Sequence, residues 1–103
     1  KKIKVLVVDD QQELAAEIAD ILRTDSQLDV LGTAVDGADA LEKMSDSVPD
    51  VVLLDIRMPN MNGLVATSRI KAEHPDTKVL ILTATSVRVF PYNVFLTRLP
   101  LSS

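Results

Sequence analysis

Two apolar runs that each end in aspartate place the strongest limit on how this chain can fold. Residues Val51–Leu54 are all apolar, and Asp55 follows them directly. The first run, Ile3–Val8, is apolar except for one lysine and is followed by Asp9 and Asp10. Short runs of Val, Leu and Ile are typical of strands that are buried on both faces of a sheet. We therefore predict two buried strands that each carry carboxylates at their carboxyl end.

The segments between the apolar runs have the spacing of amphipathic helices. A stripe of Leu and Ile residues predicts a helix over residues 13–23, and Asn62 is placed to cap a helix that begins near Leu64. Alternating strands and helices imply right-handed β-α-β units around a parallel sheet, with helices on both faces. This pattern leaves the strand order open. The predicted order along the chain is strand 3–8, helix 13–23, strand 29–34, helix 38–45, strand 51–54, helix 64–73 and strand 78–83.

The composition narrows the class of protein. The chain has 103 residues, no cysteine and a net charge of −4. These values favour one domain and argue against disulfides, thiolate metal sites and direct nucleic-acid binding. No apolar run approaches the about 20 residues of a membrane-spanning helix. No signal peptide is visible, because the first apolar run is short and ends in two acids. We expect a cytoplasmic domain without a membrane segment.

Three carboxylates would meet at one edge of the sheet if the two apolar strands were adjacent and parallel. Unpaired anions at Asp9, Asp10 and Asp55 would repel one another, and a divalent cation with oxygen ligands would relieve that repulsion. The carboxyl edge of an open α/β sheet is also where ligands bind. The alternative is that Asp9 and Asp10 only cap the first helix, and that Asp55 is only a turn residue.

The same residues resemble the receiver domain of two-component response regulators. The motifs V-V-D-D, L-L-D-I-R-M-P-N-M-N-G and I-L-T-A carry this resemblance, which runs from Lys2 to about Thr85. The stretches G-T-A-V-D-G-A-D-A-L and V-L-I-L-T-A are similar to receivers that precede a C-terminal helix-turn-helix output domain. The resemblance implies an α/β, flavodoxin-like, doubly wound parallel sheet with strand order 2-1-3-4-5. That order sets the first and third strands side by side.

The resemblance also assigns roles to individual residues. It implies that Asp55 accepts a phosphoryl group from a sensor histidine kinase with the help of Mg²⁺, without the chain being a turnover enzyme. It makes Asp10 a direct ligand of the metal ion and Asp9 a ligand through water. The Asp55 carboxylate and the backbone carbonyl of Arg57 supply further oxygens. Thr83 matches the hydroxyl residue that hydrogen-bonds a phosphoryl oxygen.

The chain departs from the receiver pattern after residue 85. A receiver continues with a fourth helix, a fifth strand that ends in lysine, and a fifth helix. Residues 86–103 show no helical periodicity, and Pro91 interrupts them. We therefore predict a receiver core over 1–85 and an atypical tail over 86–103, from a truncated or frameshifted gene or a fragment. Residues 94–97 are a candidate fifth or exchanged strand.

Arg98 is the candidate for the missing lysine. The sequence F-L-T-R loosely resembles the aromatic-x-x-Lys pattern at the end of the fifth receiver strand. The alternative is a solvated tail arginine, because a planar guanidinium does not replace a compact ammonium simply.

The missing helices have consequences for assembly and function. Their loss would expose an apolar sheet face and the edge of the fourth strand, so we expect a dimer or larger assembly. The alternative function is a degenerate receiver that acts as a non-switching dimerisation or interaction module. No output domain is present, so we predict no DNA binding by this chain.

Overall fold

Strands and helices alternate along the chain in the computed structural model, which describes residues 1–55, 61–82, 87–90 and 94–95. Side chains are described for residues 1–54 and 65–82. The elements in chain order are β1 (Ile3–Val8), α1 (Gln12–Arg23), β2 (Leu28–Ala34), α2 (Gly37–Met44), β3 (Val51–Asp55), α3 (Met61–Glu73), β4 (Lys78–Leu82), β5 (Val87–Phe90) and β6 (Val94–Phe95). Within these residues, no helix is both long enough and apolar enough to cross a membrane.

The sheet has the strand order that was predicted for its first four strands. The order is β2-β1-β3-β4, and all of these neighbours are parallel. β1 lies next to β3, with Val8 opposite Leu54. The flavodoxin-like, doubly wound fold is therefore confirmed.

The helix after β3 begins earlier than predicted. α3 starts at Met61 rather than near Leu64. The prediction that Asn62 caps this helix is therefore wrong, because Asn62 and Gly63 lie inside it. A glycine within a helix costs only about 1 kcal/mol, a penalty small enough for α3 to include Gly63.

The sheet continues past β4 with two antiparallel strands. β5 pairs with β4, with Val87 opposite Leu82, and β6 pairs with β5. The expectation that the edge of the fourth strand would be unpaired is therefore wrong for this part of the chain. Only four residues separate β4 from β5. Such a connection allows a hairpin but not the crossover of a dozen residues that a parallel strand requires. Residues 96 and 97 of the candidate tail strand lie outside the described residues.

Helices cover the two sheet faces unequally. On the face of α2 and α3, the residues of β3 and β4 are buried: Val52, Leu54, Val79 and Ile81. On the face of α1, the alternate residues of the same strands are half-buried: Val51, Leu53, Leu80 and Leu82. α1 packs against β1 and β2, where Val5 and Val7 contact its two buried alanines. The predicted exposure of apolar sheet surface is thus partial and lies over β3 and β4.

Hydrogen bonds at the opposite, amino edge fix the alignment of the central strands. The Lys4 N–H donates to Asp50 Oδ2 at 2.8 Å, and the Lys78 N–H donates to the Asp50 carbonyl at 2.9 Å. The buried Thr77 hydroxyl donates to the Pro49 carbonyl at 2.8 Å. Because strands rise by about 3.3 Å per residue, alignment at this edge also aligns the carboxyl ends of β1, β3 and β4.

Candidate functional site

The carboxyl edge of the sheet brings the backbones of the predicted acidic residues together. Val8 lies opposite Leu54 in the β1–β3 register, and Asp9 and Asp55 are the residues that follow on each strand. Asp55 is the last residue of β3 and lies opposite Leu82 of β4. Thr83 is the next residue after β4. The side chain of Asp55, and all of Arg57, Thr83 and Arg98, lie outside the described residues, so their roles stay predictions.

The two aspartates after β1 lie in different environments. Asp9 is only 5% exposed, and its Oδ1 accepts the Gln11 N–H at 2.9 Å. Asp10 is exposed. The N-cap of α1 is Gln11, whose side chain makes no capping hydrogen bond. Neither aspartate is therefore the N-cap of the first helix. Asp9 instead accepts the N–H of the N-cap residue, Gln11.

The oxygen atoms at this edge are suitable ligands for a hard divalent cation. Carboxylate and carbonyl oxygens are the ligands that Mg²⁺ prefers in proteins, and one exposed carboxylate beside one buried carboxylate provides them from a single connection. Among the side chains that the structure describes, no three acidic or histidine groups form a metal cluster. The predicted third carboxylate, Asp55, is not among those side chains, so the metal site stays a prediction.

Gln12 contacts the segment between β1 and α1 that carries Asp9 and Asp10, in a way that the sequence did not indicate. Its Nε2 donates to the backbone carbonyl of Asp9 at 2.8 Å. Its Oε1 accepts the hydroxyl of Thr33 on β2 at 3.5 Å. A glutamine at the first position of a helix has no recognisable pattern, so only the folded structure reveals this bridge between β2 and the end of β1.

A second polar network borders the site where β2 leads into α2. Asp36 caps α2 by accepting the Asp39 N–H at 2.8 Å. Asp39 in turn accepts the Val35 N–H at 3.0 Å and a hydrogen bond from Lys43 Nζ at 3.2 Å. The Val35 N–H and the Lys43 ammonium both stabilise the carboxylate, and they lower the pKa of Asp39 below its ordinary value.

The lowered pKa of Asp39 predicts a contribution to stability that depends on pH. A depressed carboxyl pKa stabilises the folded state above the unfolded pKa, and this contribution is lost as the pH falls below about 4. We expect Asp39→Asn to be less stable than the wild type at pH 6, and the difference to shrink as the pH approaches 2. Urea unfolding at several pH values measures it. Asp46→Asn, outside this network, is the control, and an Asp39→Asn difference that grew on acidification would contradict the assignment.

Comparison with known proteins assigns most of the chain to one family of domains. The family model described as response regulator receiver domain matches residues 5–93. The chain is 46% identical over 86 residues to a protein-glutamate methylesterase/protein-glutamine glutaminase of Geobacillus kaustophilus, which covers 84% of the chain and 25% of that protein. It is 43% identical over 81 residues to the transcriptional regulatory protein LnrK of Bacillus subtilis, which covers 79% of the chain and 37% of that protein. The chain thus spans only a quarter to a little over a third of these relatives.

Solved structures with similar folds lead to the same class of domain. The response regulator domain of Thermotoga maritima CheB superposes with a TM-score of 0.71 at 36% identity, covering 82% of the chain and 63% of that domain. The signal receiver domain of the putative response regulator NarL from Mycobacterium tuberculosis gives a TM-score of 0.69 at 36% identity, covering 82% of the chain and 68% of that domain.

Proposed function

The chain belongs to the response regulator receiver domain family of two-component signalling, and on that premise we propose that Asp55 accepts a phosphoryl group from a sensor histidine kinase. One observation carries this proposal: β1 and β3 are parallel neighbours whose carboxyl ends bear Asp9 and Asp55 at the same edge. Ligands of open α/β sheets bind at such an edge. A receiver is a signalling module, and the transfer proposed here is a single event on the chain itself rather than a turnover reaction.

The chemistry exchanges one bond to phosphorus for another. A carboxylate oxygen of Asp55 attacks the phosphoryl group, the bond from phosphorus to the histidine nitrogen breaks, and a phosphorus–oxygen bond forms. The released imidazole nitrogen takes up a proton from water. Asp9, Asp10, the Asp55 carboxylate and the Arg57 carbonyl would hold Mg²⁺, which when bound neutralises charge that develops on the phosphoryl oxygens.

Two further residues complete the proposed site. Thr83 follows Leu82, which lies opposite Asp55. This position in the chain supports the proposal that its hydroxyl donates to a phosphoryl oxygen. Arg98 would supply the cation that lysine provides in the family, although a guanidinium presents a planar fork of donors rather than a point charge.

The proposal also concerns partners and location. The partner is a sensor histidine kinase, and the reaction would take place in the cytoplasm, where ATP is available to phosphorylate the kinase. The half-buried apolar residues of β3 and β4 on the α1 face favour self-association. Methylesterase, glutaminase and transcriptional regulatory activities are named for the longer relatives and form no part of this proposal.

Labelling with a small phosphodonor tests the proposed function. With acetyl phosphate and Mg²⁺, we expect intact-mass spectrometry to show one phosphoryl group per chain, and no labelling when EDTA removes the divalent ion. A sizing column run on both samples reports whether phosphorylation changes the assembly. Labelling that is equally efficient in EDTA, or absent in Mg²⁺, would contradict the proposal. Absence of labelling would instead favour the interaction module.

A further inference from the structure

The backbone of Asp9 is held by hydrogen bonds on both sides of its Cα atom. The Asp9 N–H, on the residue's amino side, donates to the Ala34 carbonyl of β2 at 3.0 Å. The Asp9 carbonyl, on the other side, accepts from Gln12 Nε2 at 2.8 Å. The first bond extends the hydrogen-bond ladder between β1 and β2 by one residue. The second bond satisfies the Asp9 carbonyl beyond the end of that ladder.

The Gln12 bond holds the plane of the peptide group between Asp9 and Asp10. The Asp9 carbonyl and the Asp10 N–H belong to one planar peptide group, so fixing the carbonyl fixes the plane and the direction in which Asp10 leaves it. Asp10 is exposed, and its carboxylate makes no hydrogen bond or ion pair to the described residues that would hold it otherwise. The Asp9–Asp10 peptide plane therefore acts on Asp10 together with the bond that spans it, in which Asp9 Oδ1 accepts the Gln11 N–H at 2.9 Å.

The Asp9 carbonyl sets the orientation of the Gln12 amide, and Thr33 holds the other end of that amide. Nε2 donates to the Asp9 carbonyl, and Oε1 accepts the Thr33 hydroxyl at 3.5 Å. With the amide reversed, its oxygen would face the carbonyl oxygen, and the two acceptors would repel. Gln12 is therefore anchored on β2, the strand that also receives the Asp9 N–H.

We propose that Gln12 is a positioning residue that holds the Asp9–Asp10 peptide plane, and with it both carboxylates, in the arrangement that binds a divalent cation. This inference rests on the proposed function, because that function requires the cation. Residues that orient metal ligands without touching the metal commonly change metal affinity by about 10–100-fold when they are replaced. A single neutral hydrogen bond on an exposed side chain corresponds to the low end of that range.

Metal affinity, rather than phosphorylation, provides the test. Mn²⁺ accepts the same oxygen ligands as Mg²⁺, and the free ion is counted directly by electron paramagnetic resonance. We expect Gln12→Met, which keeps the length of the side chain but removes the amide, to bind Mn²⁺ about tenfold more weakly than the wild type. Thr33→Val, which removes only the anchoring hydroxyl, should weaken binding in the same direction by a smaller factor.

A matched control and a metal-free measurement separate positioning from general damage. Gln27→Met makes the same chemical change at an exposed residue at the amino edge of the sheet. Within the described part of the chain, Gln27 forms hydrogen bonds only through its backbone N–H and carbonyl. This variant should therefore leave Mn²⁺ affinity unchanged. The Gln11 N–H donates to Asp9 Oδ1 at 2.9 Å, so its hydrogen exchange reports on the position of the Asp9 carboxylate. In metal-free protein this exchange should be faster in Gln12→Met than in Gln27→Met.

The outcomes distinguish this inference from the proposed function. Wild-type affinity in Gln12→Met would overturn the role of Gln12 alone. If the wild type bound no Mn²⁺, or if Asp10→Asn did not weaken the binding, the metal site and this inference would both be wrong.

Discussion

Replacing Asp55 with asparagine is expected to reduce phosphoryl labelling by acetyl phosphate to background. The amide has nearly the shape of the carboxylate, but it lacks the anionic oxygen that attacks phosphorus. It also removes one of the negative charges that would hold the divalent ion at the carboxyl edge. Both effects act in the same direction, so we expect loss of essentially all labelling rather than a partial decrease. Intact-mass spectrometry after incubation with acetyl phosphate and Mg²⁺ measures it.

The control for this variant lies at the other end of the same strand. Asp50 directly precedes β3, and its Oδ2 accepts the Lys4 N–H at 2.8 Å. The amide oxygen of Asp50→Asn can still accept that hydrogen bond, so the fold should be kept and labelling should match the wild type. If Asp55→Asn were labelled as well as Asp50→Asn, the phosphoryl group would be on another residue and the assignment of Asp55 would be wrong.

The sequence was sufficient to predict the part of the fold that forms the site. Continuous apolar runs predicted that β1, β3 and β4 would be central strands, because parallel strands are buried on both faces. The resemblance supplied what periodicity cannot, namely that β1 and β3 are neighbours. The structure confirms that adjacency, which places the backbones of Asp9 and Asp55 at one edge of the sheet. The direction of the Asp55 side chain stays a prediction.

The features that the sequence could not predict depend on contacts between distant residues. The antiparallel β5 follows from a four-residue connection and from pairing with β4, and neither leaves a periodic signal in the V-R-V-F stretch. The Gln12 contacts join residues 12 and 33, so they exist only after β2 has packed beside β1. The early start of α3 is a further difference, since Asn62 and Gly63 are a turn signal in the sequence but lie inside the helix.

A close contact between helices α2 and α3 leads to the largest expected effect on stability. Gly37 is the first residue of α2, and a Cβ added there would overlap the Ala66 Cβ and lie 3.2 Å from the Ala66 Cα. Alanine normally stabilises a helix relative to glycine by up to about 1 kcal/mol, but here the helices would have to separate. We expect Gly37→Ala to lower the free energy of unfolding by about 2–3 kcal/mol. Thermal unfolding should show a decrease in melting temperature of about 10–20 °C.

A second substitution on the facing helix distinguishes this clash from a backbone requirement at Gly37. Ala66→Gly removes one of the two overlapping methyl groups. The double variant should therefore have a free energy of unfolding at least about 1 kcal/mol higher than the sum of the two single effects predicts. Gly32 is the matched control, because it has a φ of 148° and nothing within 4 Å of an added Cβ. Gly32→Ala should destabilise through backbone strain, and Ala66→Gly should add to it without coupling. Additive effects at Gly37 as well would show that α2 does not depend on close approach to α3.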